Sequence, residues 1–84
     1  MEMLVTKPAL KFILRQPRDR LDMFAKCLND IWEGQGDIVR LSGTENIYRY
    51  KFGQYRLIFH LDSETITVTD AATRTNIKYR RLSQ

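Results

Sequence analysis

The chain is poor in the residues that bind metals, act as nucleophiles or cross membranes. Its 84 residues include one cysteine and one histidine. Cys27 alone closes no internal disulfide and builds no thiolate cluster, and neither a CxxC nor an HExxH spacing occurs, so no metal and no small-molecule cofactor are expected. Apolar runs reach four residues at most, too short to span a bilayer. The first residues lack a basic segment leading into an apolar core, so a cytoplasmic protein without a membrane partner is expected. Four glycines and two prolines leave no flexible tract, and "GQG" at 34–36 is too short for a dinucleotide-binding loop. A seryl nucleophile signature is missing as well.

What is present suits one small folded domain over residues 1–84. Hydrophobic residues make up 43% of the chain, with aromatics at globular frequency. A chain this short buries only roughly 60–65% of its unfolded surface, so it folds with little margin. The formal net charge is +4, and its placement is uneven. Residues 1–39 carry six basic and six acidic side chains, whereas residues 40–84 carry eight and four. The basic surface therefore belongs to the second half.

The first half reads as a short strand over residues 3–7 and two helices. Thr6 is placed to cap the first helix with Pro8 in its opening turn, and Leu10, Ile13 and Leu14 follow at helical spacing. Pro17 pushes Gln16 out of helical geometry and ends the run. Leu21, Phe24, Ala25, Leu28, Ile31 and Trp32 then form a second stripe, opposite Arg18, Asp22, Lys26 and Asp30, until "EGQG" stops the helix. Cys27 lies in this helix as a small core or boundary residue. A helical hairpin is expected to pack on an apolar surface.

From Ile47 the period changes to two. Tyr48, Tyr50 and Phe52 alternate with Ile47, Arg49 and Lys51, and Tyr55, Leu57, Phe59 and Leu61 alternate with Arg56, Ile58 and His60. Gly53 and Gln54 fit a two-residue hairpin turn with glycine first. That turn pairs Phe52 with Tyr55, Lys51 with Arg56, Tyr50 with Leu57, Arg49 with Ile58 and Tyr48 with Phe59. "TITVT" supplies a further strand, with Leu61 beside Ile66 and Phe59 beside Val68. The expected fold is α+β: a short N-terminal strand and a helical hairpin packed on one face of a small, mainly antiparallel sheet.

The opposite face reads Arg49, Lys51, Arg56, Ile58, His60, Thr67 and Thr69. Cations facing each other about 5.5 Å apart repel by roughly 1–3 kcal/mol for effective dielectrics between 80 and 20. Long basic side chains splaying into screened solvent would relieve one such pair. Here Arg49 joins Lys51 and Arg56, and the hairpin from Ile47 to Leu61 has no acid to offset the three. An external polyanion is the simplest compensation. "DAATRTNIKYRR" adds Arg74, Lys78, Tyr79, Arg80 and Arg81, and the small Ala71 and Ala72 would let a ligand approach the sheet end. Arg80 and Arg81 read equally as a solvated tail, and His60 equally as polar packing or as an acid or base.

Taken together, "KPALKFILRQPRDRLDMFAKCLNDI", "RLSG", "YRYKFGQYRLIFHLD", "ITVTDAATR" and the closing "IKY" resemble the RelE/ParE superfamily of toxins from toxin–antitoxin modules. The resemblance covers nearly the whole chain and is most specific over "YRYKFGQYRLIF" with the later Arg74 and Tyr79. It implies a RelE-like microbial ribonuclease-type fold. It also implies an endoribonuclease that cuts messenger RNA in the ribosomal A site and so inhibits translation, using basic residues on the sheet instead of a metal. The implied partners are mRNA on the 70S ribosome and a cognate acidic antitoxin, and the implied host is bacterial or archaeal.

Carried over, Arg49 and Lys51 match the basic pair on the second strand, Arg56 the arginine after "GxY", Arg74 the later arginine and Tyr79 the C-terminal tyrosine. Arg56 and Arg74 would stabilise charge on a pentacovalent phosphorane. Lys51, crowded by cations, suits a base, and Tyr79 suits an acid or a stacking residue, with these roles open to exchange. Arg49, Lys51, Arg56, Arg74, Lys78, Arg80 and Arg81 are the expected RNA-binding set. His60 and Glu45 match no catalytic pair, and with only Ser83 and Gln84 after Leu82 no substantial C-terminal helix is expected. The ParE-like branch shares the fold but implies a gyrase-inhibiting toxin with no RNA cleavage.

Overall fold

The computed structural model of the chain describes residues 1–78. It contains strand β1 (Glu2–Val5), helix α1 (Lys7–Arg15), a 3-10 turn (Arg18–Arg20), helix α2 (Leu21–Glu33) and strands β2 (Asp37–Arg40), β3 (Ile47–Phe52), β4 (Tyr55–Leu61) and β5 (Thr65–Thr73). The strands form one sheet in the order β1-β5-β4-β3-β2. β1 lies parallel to β5, and every other pairing is antiparallel. Both helices pack on one face. The expected α+β layering and mainly antiparallel sheet are therefore what the chain forms.

The hairpin register follows from the two-residue turn. All five expected β3–β4 pairs occur, as do Leu61 with Ile66 and Phe59 with Val68. Gly53 takes φ +57° while Gln54 does not turn positive, the pattern of a II′-like turn whose first residue must be glycine. Alternation then sends Tyr50, Leu57, Phe59, Ile66 and Val68 to the helix side, where they bury against Ala9, Cys27 and Ile31. A second cluster joins Ile13, Phe24 and Tyr55, with Phe12 packed against it. The Phe12, Phe24 and Tyr55 rings meet edge to face at centroid distances of 5.1–6.2 Å, a geometry that adds about 0.5–1.5 kcal/mol per pair to the burial.

Several expectations on the helices are corrected. In α1, Ala9 and Ile13 are buried while Leu10 and Leu14 stay exposed. The helix lies against β5, and the close approach selects the small Ala9, so the stripe is rotated away from the leucines. In α2 the inward residues are Phe24, Cys27 and Ile31, with Leu28 half-buried, and Leu21, Ala25 and Trp32 are exposed. Thr6 does stand at the N-cap of α1, but its side chain makes no cap bond. Its Oγ1 donates instead to the Thr69 carbonyl at 2.9 Å, and its N–H donates to the Val68 carbonyl at 3.0 Å, extending β1 along β5.

α2 and β3 are joined by a polar contact. The Tyr50 hydroxyl donates to Asp30 Oδ2 at 2.6 Å, and Lys26 Nζ donates to the same oxygen at 2.9 Å. Asp30 was expected on a solvated helix back; it instead turns to the sheet edge, its side chain 14% exposed. The bonds from Lys26 and then Tyr50 hold its carboxyl below the usual carboxylate range. Burial, reinforced by Asp30, pushes the Tyr50 phenol upward, and burial also raises the Cys27 thiol. The chain reaches β2 through Gly36, at φ +92°, where an added Cβ would sit 2.9 Å from Tyr50 Cε1. Only glycine combines that backbone with that proximity.

Candidate anion site on the outer sheet face

The face of the sheet away from the helices can be read in rows across the strands. One row runs Asp37, Lys51, Arg56, Ala72; the next runs Val39, Arg49, Ile58, Asp70; the last runs Ile47, His60, Thr67, Leu4. Lys51 and Arg56 thus stand opposite each other, as the turn requires. The backbone N–H of Arg74 donates to the Gln54 carbonyl at 2.7 Å, which carries the β4–β5 ladder one step past Tyr55–Thr73. Arg74 opens the turn that follows β5, so its backbone stands beside the β3–β4 hairpin turn. Arg49, Lys51 and Arg56 thus share the hairpin-turn end of this face, with the Arg74 backbone at the adjoining turn.

Arg56 is held in a defined orientation. Its Nη1 donates to the carbonyls of Gly53 at 2.7 Å and Tyr55 at 3.0 Å, tying the guanidinium to the turn. Those bonds leave the Nε and Nη2 edge, which can grip an oxyanion with two parallel bonds. Lys51, Arg74 and Lys78 are exposed. Arg49 is more enclosed, its side chain 20% exposed, and Nη2 lies 3.4 Å from Asp37 Oδ1.

Flanking strands supply the acids that the hairpin itself lacks. Asp37 comes from β2, an edge strand missing from the sequence reading, and it also faces Lys51 in register. Asp70 arrives through a bulge: the β4–β5 register shifts between Ile58 and Phe59, leaving Thr69 between Asp70, opposite Ile58, and Val68, opposite Phe59. Asp70, not Thr69, therefore holds the outer-face register position. Thr69 Oγ1 donates to Asp70 Oδ2 at 2.9 Å. The cationic face is thus partly compensated from its two sides.

His60 lies two rows from the Lys51–Arg56 pair and is exposed, and Glu45 is an exposed loop residue. Neither joins the cluster. Ile58, though on this face, has no exposed surface and belongs to neither apolar cluster of the helix side. Tyr79, Arg80 and Arg81 lie outside the described residues. At the sheet end, a pocket of about 460 Å³ is lined by Pro8, Asp70, Ala71, Ala72, Asn76, Ile77 and Lys78. Ala71 and Ala72, small residues that the sequence marked at this sheet end, are two of its lining residues. Asn76 had no sequence signal of its own.

A helical hairpin over one face of a five-stranded mixed sheet, with a cationic cluster on the other face, defines the structural class. The particular fold is that of the RelE toxins. The chain resembles a chain of the RelB-RelE antitoxin-toxin complex from Methanococcus jannaschii with TM-score 0.70 and 19% identity, covering 86% of this chain and 91% of the other. The archaeal RelE-RelB complex from Pyrococcus horikoshii gives TM-score 0.71 at 22% identity, over 90% and 97%. The isolated E. coli RelE toxin gives 0.70 at 17% identity, over 96% and 92%. No protein-family model matches the chain, and no curated protein does.

Proposed function

We propose that this chain is the toxin of a toxin–antitoxin pair and acts as an endoribonuclease on mRNA in the ribosomal A site, stopping translation. The observation that carries this reading is the grouping of Arg49, Lys51 and Arg56 on the outer sheet face of a RelE fold, with the Arg74 backbone beside their hairpin turn. In the reaction, a ribose 2′-oxygen attacks the adjacent phosphorus in line with the 5′-oxygen. The new O–P bond forms as the P–O5′ bond breaks, leaving a 2′,3′-cyclic phosphate and a 5′-hydroxyl. Arg56, pre-oriented by the turn carbonyls, and Arg74 neutralise the charge that builds on the non-bridging oxygens. Lys51 takes the 2′-hydroxyl proton, and Tyr79 delivers one to O5′.

Dependence on the ribosome is part of the proposed activity. The acidic antitoxin is supported by the basic outer face, and two of the similar structures are RelB–RelE complexes. The test is to induce the protein and map mRNA 5′ ends on and off ribosomes. New ends confined to ribosome-bound messages are expected. Growth arrest without RNA cleavage, accompanied by inhibited gyrase supercoiling, would replace this reading with the ParE-like one.

A further inference from the structure

The two ends of the sheet differ in charge and in cover. At the end away from the β3–β4 hairpin turn, a groove of about 350 Å³ opens between the last turn of α2 and the helix side of the sheet. Met1, Trp32, Tyr48, Leu61 and Ile66 supply apolar walls, and Glu33 joins the lining. Trp32, the chain's single tryptophan, is 44% exposed there and Met1 is 68% exposed. The volume falls within the range of ligand sites, about 300–1,000 Å³.

Exposed acids gather near this groove. Glu2 follows Met1 and its N–H donates to the Glu64 carbonyl at 2.9 Å, while Asp62, next to Leu61, accepts the N–H groups of Glu64 and Thr65 on Oδ1 at 3.2 and 3.0 Å. With Glu33 these make four carboxylates, against Arg40, the register partner of Tyr48, and the amino group of Met1. A matching occupant brings apolar side chains and positive charge together. Residues 79–84, outside the described residues, read "YRRLSQ": two cations, no acid, and Tyr79 and Leu82 as apolar anchors.

This segment does not reach the groove of its own chain. The Ile77 N–H donates to the Thr73 carbonyl at 2.9 Å, which keeps Lys78 at the hairpin-turn end of β5. Thr73 pairs with Tyr55 and Ile66 pairs with Leu61, seven residues apart along β5 and about 20 Å at a strand's rise. The four residues from Lys78 to Leu82 span at most about 14 Å.

We propose that the groove receives segment 79–84 of a second copy of the chain, with Leu82 seated among the apolar walls and Arg80 and Arg81 beside the carboxylates. Two copies lying antiparallel exchange the segment reciprocally, which closes a two-fold dimer. The contact does not depend on the ribonuclease reading. Where that reading holds, the exchange withdraws Tyr79, Arg80 and Arg81 from RNA, so the dimer is a stored form and dilution releases the active monomer.

Trp32 reports on the groove directly. The full chain, dilute enough to be monomeric, is titrated with a synthetic peptide of residues 77–84 while its tryptophan emission is followed. A saturable blue shift is expected. The peptide carrying Leu82→Asp binds about tenfold more weakly, the loss of one buried leucine, and the peptide with both arginines replaced by glutamate gives no shift. Glu33→Lys in the chain weakens the unaltered peptide about three- to tenfold at low salt, and the difference closes at high salt. Sedimentation of the full chain shows monomer passing to dimer as concentration rises, and Leu82→Asp abolishes the dimer. An unchanged Trp32 emission, an equal response to the charge-reversed peptide, or a chain that stays monomeric at every concentration overturns the exchange. Absence of cleavage by the wild-type monomer, with the emission shift and the dimer present, removes the ribonuclease reading and leaves the contact standing.

Discussion

Tyr50 and Lys51 are consecutive residues of β3 and stand in opposite environments. Tyr50 is 1% exposed beneath α2, its hydroxyl bonded to Asp30, while Lys51 is exposed on the outer face between Asp37 and Arg56. The same contrast runs through β4, where Tyr55, Leu57 and Phe59 are buried on the helix side and Arg56 and His60 lie on the other. One hairpin thus carries the core on its helix-side residues and the basic cluster on its outer-face ones. What this teaches is separability: helix-side changes should move stability first, and outer-face changes should move anion handling first.

The comparison can be broken at several depths. Phe24→Ala empties the centre of the Phe12–Phe24–Tyr55 cluster and is expected to cost about 3–5 kcal/mol, read from urea unfolding. Gly36→Ala places a Cβ against Tyr50 at a positive φ, and about 1–3 kcal/mol is the expected loss in the same assay. Asp30 gives the helix side a pH signature. Its carboxyl is depressed by Lys26 and Tyr50, so its stabilisation is complete above the unfolded carboxyl value, about pH 3.9, and is lost as pH falls through the lower native value. Unfolding midpoints across that acid range should therefore fall less steeply in Asp30→Asn than in the wild type.

The smallest effect belongs to the outer face. Asp37→Asn removes the acid beside Arg49 and opposite Lys51. Affinity for a short RNA should rise about two- to fivefold at low salt and converge with wild type at high salt. An unchanged affinity at low salt would mean that Asp37 does not restrain the cationic cluster.

How much of this was legible in the sequence depended on the range of the signal. Strict alternation around a two-residue turn determines pairing locally, so the β3–β4 register and the identity of each face could be read from residues 47–61. The first part of β5 followed by the same arithmetic. The bulge at Thr69 could not be read, because nothing in "TVTDAAT" distinguishes a skipped residue from a regular one, and with it went the arrival of Asp70 on the outer face. β2 has four residues at the sheet edge, too few to show a period. In α1 hydrophobicity favoured Leu10 and Leu14, but packing distance favoured Ala9. The cationic cluster was visible as residue types; the orientation of Arg56 on the turn carbonyls and the pocket beside Ala72 required the fold.

The central claim, that the basic residues of the outer face carry RNA chemistry and contribute little to stability, is tested most directly with Arg56→Ala. The wild-type chain and the variant are compared in mapped mRNA cleavage on ribosomes and in urea unfolding. Cleavage is expected to fall about 100- to 1,000-fold while stability stays within about 1 kcal/mol of wild type. Undiminished cleavage by a folded Arg56→Ala protein would contradict the claim.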